Sequence, residues 1–338
     1  MIDKAIYDIL SGRNLSLEAA KATMEQMMEG AATDSQMGAF LAAMRLKGET
    51  VDEITACAQV MRERCLKLHP LSDTLDIVGT GGDELYSFNI STVSSFVVSA
   101  GGVPVAKHGN RSVSSKCGSA DVLEALGVNI LLSAEESQRV LSKTGMCFLL
   151  AQVYHSAMKH VAHIRKELGV RTIFNILGPL ANPAGASLQL LGVYDEGLVE
   201  PMANVLLNLG VKRAMVVHGH DGLDEITLTG TSSICEVSGG QLKSYQITPE
   251  QFGLERCTIA ELKGGGPAEN AVIAREILSG EPGPKRDIVV LNAACCLYMG
   301  LAGVTMADCV RFAQELIDSG RAMAKLKEFI SASKEAAA

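Results

Sequence analysis

The sequence has few charged residues, and its acidic residues outnumber the basic ones. Charged residues make up 20 % of the 338 residues, and the formal net charge is −8. Proteins that bind nucleic acid or membrane surfaces nonspecifically normally carry a basic patch or excess, so we expect neither kind of partner. Apolar residues make up 47 % of the chain, which is enough for a sizeable core in one large domain or two modest ones.

Paired cysteines and a signal peptide are also missing. The nine cysteines are an odd number and form no CxxC pair, and the adjacent Cys295 and Cys296 have poor geometry for a bridge. The first residues, MIDKAIYDILSG, show no basic flank followed by an apolar block. These features predict a cytoplasmic protein whose reduced cysteines serve as small apolar side chains.

Long apolar runs are rare, with one exception at residues 288–307, IVVLNAACCLYMGLAGVTMA. This run carries no charge and is long enough to cross a membrane. It also contains Asn292, Thr305, two glycines and several alanines, which makes it only weakly hydrophobic. We therefore expect a buried helix there.

Several common catalytic patterns are absent from the sequence. It has no GxxxxGK[ST] loop, so it is not a P-loop nucleotidase, and no Ser–His–Asp or Cys–His set stands out. The fragment HGH, with His218 and His220, resembles part of a zinc hydrolase site. The rest of that pattern does not follow, so we reject a zinc site.

The pattern of the chain changes near residue 70. The earlier residues show helical spacing, with a cap at Ser16, whereas strands of β-branched residues alternate with helices from TLDIVG onward. This predicts an α/β protein with a small all-helical domain and a large α/β domain, whose mostly parallel central sheet is flanked by helices. The predicted small domain covers residues 1–70 with a return segment at about 165–185, and the large domain covers 71–338.

A glycine-rich loop, GTGGD, follows the first predicted strand. In a βαβ unit both strands are parallel, so this loop and the end of the second strand, KHGNRS, emerge at the same edge of the sheet. Glycines permit the turn and the close approach that a phosphate cradle needs. The segment FNIST then opens a helix with cap residues at Asn89, Ser91 and Thr92, and a helix N-terminus favours anions. The alternative is an ordinary glycine turn followed by an ordinary cap.

Charged residues follow the neighbouring strands. Lys107, His108 and Arg111 would supply cations beside the glycine loop, and Asp224 and Glu225 follow the strand AMVVHG. Adjacent carboxylates at a strand end suit Mg²⁺, which bridges phosphate oxygens. The alternative is a pair of solvated turn acids. We expect a polyphosphate substrate that reacts by bond heterolysis.

Five segments, in order along the chain, resemble the anthranilate phosphoribosyltransferase family. They are GTGGD, NIST, KHGNRSVSSKCGSADVLEALG, RKELGVRTIFNILGPLANPA and DGLDE. The resemblance implies transfer of the phosphoribosyl group of phosphoribosyl pyrophosphate (PRPP) to the amine of anthranilate, with release of pyrophosphate, in tryptophan biosynthesis. It also implies Mg²⁺, as two ions, and no dedicated acid or base residue, because the aryl amine of anthranilate is neutral at pH 7.

The resemblance implies roles for individual residues of this chain. Anthranilate would lie against Gly79, Asn110 and Arg165, and the metal against Ser91, Asp224 and Glu225. Without the resemblance, Arg165 would be taken as a surface residue paired with a glutamate. The residues implied to bind PRPP are Gly79, Gly82, Asp83, Ser87, Asn89, Ile90, Ser91, Thr92, Lys107, His108, Gly109, Asn110, Arg111, Ser112, Val113, Ser114, Ser115 and Ser119.

One segment departs from the family pattern. Residues 151–158 are AQVYHSAM, so Gln152, Val153 and Tyr154 replace the expected residues beside His155. The departure affects the wall of the substrate channel rather than the reaction.

Two other functions remain possible from the sequence. A pyrimidine nucleoside phosphorylase shares the architecture but would have no acidic DGLDE pair, and a non-catalytic, nucleic-acid-binding relative would have lost GTGGD and gained a basic groove. The Met-rich faces of the N-terminal helices, which have no evident partner within the chain, predict a homodimer.

Overall fold

The N-terminal part of the protein is a set of four helices. The computed structural model describes residues 1–112 and 116–337. Ser16 accepts a hydrogen bond from the amide of Ala19, which confirms the predicted cap. Thr33 and Thr50 start the next two helices in capping boxes with Gln36 and Glu53. The four helices are α1 (Ile2–Leu10), α2 (Leu17–Met28), α3 (Asp34–Lys47) and α4 (Val51–Arg64).

The methionines of these helices are buried, contrary to our expectation of exposed Met-rich faces. Met24, Met27 and Met44 are at most 1 % exposed. They share one hydrophobic cluster with Ile173 and Phe174 of the later chain, because the unbranched methionine side chain fills irregular gaps between packed helices. The return of the chain at these residues agrees with the predicted segment 165–185, although the domain bounds themselves stay predictions.

The central sheet has seven strands in the order β3-β2-β1-β4-β5-β6-β7. The five strands from β3 to β5 are parallel, and β6 and β7 add to the sheet in antiparallel fashion. The expected mostly parallel sheet is therefore confirmed. The strands are β1 (Leu75–Gly79), β2 (Val105–Gly109), β3 (Met146–Leu150), β4 (Leu188–Gly192), β5 (Arg213–Gly219), β6 (Ser232–Ser238) and β7 (Gln241–Ile247).

Sequence analysis missed the last strand, β7. It forms a hairpin with β6 through Gly239 and Gly240, both of which have positive φ angles. A Gly-Gly pair between two β-prone runs is a recognised hairpin signal. The side chains of β7 are mostly exposed, as expected for an edge strand, and so the strand lacks the apolar pattern of the buried strands.

Helices cover the sheet. Helix α13 contains most of the uncharged run at 288–307, and its side chains from Ile288 to Leu297 are buried, as predicted. No helix in the described part of the chain is long and apolar enough to cross a membrane. The remaining α-helices are α5 (Ile90–Ala100), α6 (Ser119–Leu126), α7 (Ala134–Thr144), α8 (Ala151–Tyr154), α9 (Ala162–Leu168), α10 (Phe174–Leu177), α11 (Val199–Asn208), α12 (Pro267–Leu278), α13 (Pro284–Gly300), α14 (Met306–Asp318) and α15 (Arg321–Glu335). Short 3₁₀ helices lie at Ser156–His160, Gly178–Leu180, Glu196–Leu198, Pro249–Phe252 and Ile259–Leu262.

The carboxyl ends of four parallel strands meet at one edge of the sheet. Strands β1, β2, β4 and β5 end at Gly79, Gly109, Gly192 and Gly219. Gly79 is in register with Gly192 across the β1–β4 pair. The loops that follow these strands therefore lie side by side, which confirms the juxtaposition of GTGGD and KHGNRS expected from parallel topology.

Candidate active site

The glycine loop after β1 contacts the acidic loop after β5 directly. The amide of Gly81 donates a hydrogen bond of 2.7 Å to Asp224 Oδ2. A Cβ at Gly79 would collide with the Asp224 carboxylate. We expected this glycine to make room for a ligand, but in the structure it makes room for a side chain of the chain itself. The two segments that sequence analysis chose separately thus form one site.

The start of α5 contacts the same acidic loop. The amide of Ser91 donates a hydrogen bond of 3.1 Å to Glu225 Oε1, so a carboxylate occupies the positive end of the helix. Asn89 does not cap the helix with its side chain as we expected. Its amide donates to the carbonyl of Cys117 and its oxygen accepts from Asn270.

Two further residues of the NIST segment point into the protein. Thr92, which we predicted as a cap residue of an anion site, is 1 % exposed, so its side chain is buried. Ile90 is buried too, and its amide donates to the carbonyl of Phe88. Ser91 therefore makes the polar contacts with the site at this helix start. Ile90 and Thr92 pack in the interior beneath it.

Three carboxylates crowd the meeting point of these loops. Burial raises the pKa of Asp224 to about 7, and the charge of Asp83 adds to the shift. Burial also raises the pKa of Glu225 to about 8, with Asp224 as the second cause. The pKa of Asp83 is raised mainly by burial. Glu225 is only 9 % exposed, so the alternative of a pair of solvated turn acids does not describe it.

This crowding fits a hard divalent cation. Neighbouring carboxylates of raised pKa repel one another, and a cation between them removes the repulsion. Among the described residues no three His, Cys, Asp or Glu side chains converge as a complete metal site. A Mg²⁺ ion would therefore complete its coordination with water and phosphate oxygens, as Mg²⁺ usually does.

Lys107 lies beneath the site rather than at its surface. It is 1 % exposed, and its Nζ donates to the carbonyl of Ile77 and, at 3.3 Å, to the hydroxyl of Ser91. Burial lowers the pKa of Lys107, while Asp76 and Glu225 act in the opposite direction. The predicted cation is thus present, and it reaches the site through Ser91 at the start of α5.

His108 does not supply a second cation, which corrects our expectation. Successive side chains of a strand point to opposite faces, so His108 faces away from the side of Lys107. Its ring lies 5.1 Å from that of His155. Burial lowers the pKa of His108 to about 3 and that of His155 to about 4, so both rings are neutral at pH 7.

Arg111 is also not aimed at the glycine loop. Its guanidinium forms hydrogen bonds of 2.8 and 3.1 Å to Glu124 and one of 3.2 Å to Asp121, both on α6. These carboxylates raise its pKa. The expected cation is therefore held by two acids on α6.

The rest of the loop after β2 is tied to the start of α6. The hydroxyl of Ser119 donates to the carbonyl of Asn110 at 3.3 Å, and a Cβ at Gly109 would collide with that hydroxyl. The amide of Ser112 donates to Asp121 at 2.9 Å. Val113, Ser114 and Ser115, which we also expected in the site, lie outside the described residues.

Two predicted residues lie at the margins of this arrangement. Ser87 forms an isolated β-bridge with Lys263, which places it on the chain leading into α5. Arg165 lies on α9, half-buried, with its guanidinium 5.4 Å from the centre of the Phe174 ring. Burial lowers its pKa. No carboxylate in the described part of the chain pairs with it, so the alternative of a glutamate-paired surface arginine is not what the structure shows.

Sequence analysis missed three residues that build the site. Asn270 of α12 joins Asn89 to the amide of Gly265, and the run GGGP before this helix was an available signal. His155 packs on His108. Arg171 donates a hydrogen bond to the carbonyl of Gly82, and no local pattern marks it.

Two residues of the divergent segment 151–158, Tyr154 and His155, are buried. Tyr154 is 1 % exposed, and its hydroxyl donates to Ser137 at 2.8 Å on α7. This residue anchors α8 rather than presenting its ring to solvent.

Comparison with known proteins decides among the functions left open. Residues 71–323 match the α/β domain of the glycosyl transferase family, and residues 4–65 match its helical bundle domain. The anthranilate phosphoribosyltransferase of Ruminiclostridium cellulolyticum is 66 % identical over 98 % of both chains. The chain belongs to the anthranilate phosphoribosyltransferases, and it is thus a glycosyltransferase of tryptophan biosynthesis.

The fold is also similar to solved structures of anthranilate phosphoribosyltransferases. The anthranilate phosphoribosyltransferase of Thermus thermophilus has a TM-score of 0.93, with 43 % identity over 98 % of this chain and 99 % of that one. The enzyme of Saccharomyces cerevisiae, in complex with PRPP and Mg, has a TM-score of 0.91, with 28 % identity over 99 % and 98 %. The same yeast enzyme in complex with 4-fluoroanthranilate has a TM-score of 0.90.

Proposed function

We propose that the site at the carboxyl edge of the sheet binds PRPP with Mg²⁺ and transfers its phosphoribosyl group to the amine of anthranilate. The observation that carries the proposal is the contact of the acidic pair with both the glycine loop and the start of α5. Asp224 accepts from Gly81, and Glu225 accepts from Ser91. A metal-binding element and a phosphate-binding element are thereby joined, as a pyrophosphate leaving group requires.

The acidic pair is the proposed metal site, together with Ser91. We propose two ions, the number that the resemblance to the family implies. When bound, Mg²⁺ supplies charge stabilisation to the departing pyrophosphate. Asp224 and Glu225 would hold it from the loop after β5, and the hydroxyl of Ser91, which contacts Lys107, would complete the site from the start of α5.

The leaving group is stabilised by the chain from below. The anomeric carbon of PRPP becomes positive as pyrophosphate leaves, and the pyrophosphate gains negative charge. The N-terminus of α5 and the buried Nζ of Lys107, which contacts Ser91, present positive charge at that point. They are fixed by buried contacts, so little reorganisation accompanies the reaction.

Anthranilate would be held by its carboxylate. Arg165 is a half-buried arginine without a described carboxylate partner, and a guanidinium fork matches a carboxylate in geometry and charge. No residue needs to remove a proton before attack, because the aryl amine is neutral. Positioning of the amine near the anomeric carbon is the main requirement on the protein.

The other residues predicted to bind PRPP keep that proposed role, but the roles of His108 and Arg111 change. Arg111 and His108 would act through the shape of the loop after β2 and not as cations. Gly79 would lie near both substrates. The other residues proposed for PRPP are Gly82, Asp83, Ser87, Asn89, Ile90, Ser91, Thr92, Lys107, Gly109, Asn110, Ser112, Val113, Ser114, Ser115 and Ser119, with Asn110 also proposed for anthranilate.

We also propose a cytoplasmic homodimer. Each of the nine cysteines is a thiol rather than half of a disulfide, in agreement with a reduced environment. Met24, Met27 and Met44 do not form the interface, because they are buried. Apolar side chains that remain exposed on the N-terminal helices are Tyr7, Leu10 and Leu46, each at least 67 % exposed.

Pyrophosphate release tests the proposal. The purified protein is incubated with PRPP and Mg²⁺, and either anthranilate or a pyrimidine base is added. We expect pyrophosphate release when anthranilate is added and none when the pyrimidine base is added. Release with the pyrimidine base, or no release with either, would contradict the proposed substrates.

A further inference from the structure

Arg171, which lies between α9 and α10, contacts the glycine loop. Its Nη2 donates a hydrogen bond of 2.5 Å to the carbonyl of Gly82. The guanidinium carbon lies 4.3 Å from the centre of the Tyr194 ring, in a cation–π arrangement. Glu84 Oε1 lies 3.7 Å from the same nitrogen. The arginine therefore contacts the loop at its backbone and at one of its side chains.

The loop has a backbone that needs such support. Gly82 has a φ of 79°, and the non-glycine residues Glu84 and Tyr86 have φ angles of 58° and 55°. Residues other than glycine rarely adopt positive φ angles, and such a strained backbone persists only where surrounding contacts stabilise it. Asp224 holds the amide of Gly81, and Arg171 holds the carbonyl of Gly82, two peptides further on. The two contacts fix the loop from opposite ends of one short segment.

The platform beneath the guanidinium is itself attached to the loop. Tyr194 follows β4, and its amide donates to the hydroxyl of Thr80 at 3.2 Å. The amide of Thr80 in turn donates to the carbonyl of Gly192. Arg171 is thus oriented by a ring whose position depends on the same loop.

The chain that carries Arg171 connects the loop to the other proposed substrate position. Arg165 lies six residues earlier on α9, and its guanidinium stacks over Phe174, three residues after Arg171. Ile173 and Phe174 are buried in the cluster of the N-terminal helices. Arg165 and the carbonyl of Gly82 are thus joined through one short segment that the packing of Ile173 and Phe174 anchors.

We propose that Arg171 is a positioning residue that sets the conformation of the glycine loop and couples the anthranilate position at Arg165 to the PRPP position. This inference rests on the proposed function of the site. Arg171 acts through Gly82 and not by contact with a reacting atom. By linkage, each substrate then strengthens the binding of the other by the same factor.

Five variants test the inference. Arg171→Gln removes the charge, and Arg171→Lys keeps the charge but loses the planar fork. Tyr194→Leu removes the aromatic platform, and Tyr194→Phe keeps it. Lys166→Gln is the matched control, since Lys166 is an exposed cation on the same segment.

The first measurement is steady-state kinetics. We expect the KM for PRPP to rise about tenfold in Arg171→Gln, because a charge-assisted hydrogen bond is lost. Arg171→Lys and Tyr194→Leu should show a smaller rise, and Tyr194→Phe and Lys166→Gln should match the wild type. A purely structural role would instead lower the melting temperature without this order among the variants.

The second measurement is calorimetry of Mg-pyrophosphate binding with and without 4-fluoroanthranilate, a pair that lacks the phosphoribosyl group and cannot react. We expect the analogue to tighten pyrophosphate binding in the wild type and to have less effect in Arg171→Gln. A KM for PRPP and a pyrophosphate affinity within twofold of the wild type in Arg171→Gln would overturn the inference. If Arg171→Gln does not fold, the contrast between Tyr194→Leu and Tyr194→Phe decides in the same way.

Failure of the proposed function has a different signature. In that case the wild type would release no pyrophosphate from PRPP with anthranilate. Calorimetry with Mg-pyrophosphate would still report whether Arg171 controls the loop.

Discussion

The amide of Ser91 donates a hydrogen bond of 3.1 Å to the carboxylate of Glu225, although 134 positions of sequence separate the two residues. Ser91 lies in the first turn of the helix after the glycine loop, and Glu225 lies in the acidic loop after β5. The contact would hold the carboxylate of Glu225, a proposed Mg²⁺ ligand, at the start of the helix that is proposed to bind the pyrophosphate.

Removal of the acidic pair should abolish metal-dependent turnover. We expect the double variant Asp224→Asn/Glu225→Gln to lose at least about a hundredfold in kcat, because charge stabilisation of the leaving group is lost. A Mg²⁺ titration of the rate and a melting curve are measured together. Unchanged turnover and an unchanged Mg²⁺ dependence would place the metal elsewhere. The matched control is Asp73→Asn, an exposed aspartate that pairs with Lys212.

The same carboxylates predict how stability varies with pH when Mg²⁺ is absent. Their pKa values in the folded protein, about 7 for Asp224 and about 8 for Glu225, lie above those of an unfolded chain, near 4. The folded state therefore binds more protons, and stability declines as pH rises from about 4 to about 8. In EDTA, the melting temperature of the wild type should fall more over this range than that of Asp224→Asn/Glu225→Gln. Saturating Mg²⁺ should reduce the difference, and equal slopes in EDTA would contradict the prediction.

Lys107 should matter for PRPP although it is buried. Lys107→Ala removes the cation beneath Ser91, and we expect the KM for PRPP to rise about tenfold. The melting temperature should also fall, because Asp76 and Glu225 lose their buried counter-charge. Lys143→Ala, at an exposed lysine paired with Glu335, is the control and should behave as the wild type. An apparent PRPP affinity within twofold of the wild type would show that Lys107 has no part in binding.

Replacement of Arg165 should weaken the binding of anthranilate and leave the binding of Mg-pyrophosphate by itself unchanged. Arg165→Lys retains the charge but loses the fork, and the KM for anthranilate should rise by about tenfold. The intrinsic affinity for Mg-pyrophosphate, measured by calorimetry without any anthranilate analogue, should stay near that of the wild type. Lys166→Gln serves as the control on the same helix. An unchanged KM for anthranilate would place its carboxylate on another residue.

Association through the N-terminal helices can be tested by charge. We expect the wild type to sediment as a dimer at micromolar concentration and Leu10→Asp/Leu46→Asp to shift to a monomer, since a charge in an apolar interface is costly. Leu71→Asp is the control, because Leu71 is 93 % exposed and lies outside these helices. A monomeric wild type would refute the dimer, and a dimeric double variant would move the interface elsewhere.

The sequence determined the parts of this protein that follow from local pattern and from topology. The residue type of Ser16 and the helical spacing after it are sufficient to identify a helix cap. The glycines of GTGGD and the segment KHGNRS are placed side by side by topology alone, because parallel strands bring their carboxyl ends to one edge. The edge strand β7 escaped because its exposed side chains lack apolar alternation, although its Gly-Gly turn was visible.

Only the tertiary structure decided which side chains face one another. Gly79 lies against Asp224, Arg111 is held by acids on α6, and Arg171 reaches Gly82 from a distant segment. His108 became a buried neutral ring, because adjacent residues of a strand point to opposite faces and burial disfavours its charge. Residue types and local periodicity carry no information about such long-range contacts. They depend on how whole strands and helices pack, which makes the orientation of charges at this edge a property of the folded chain.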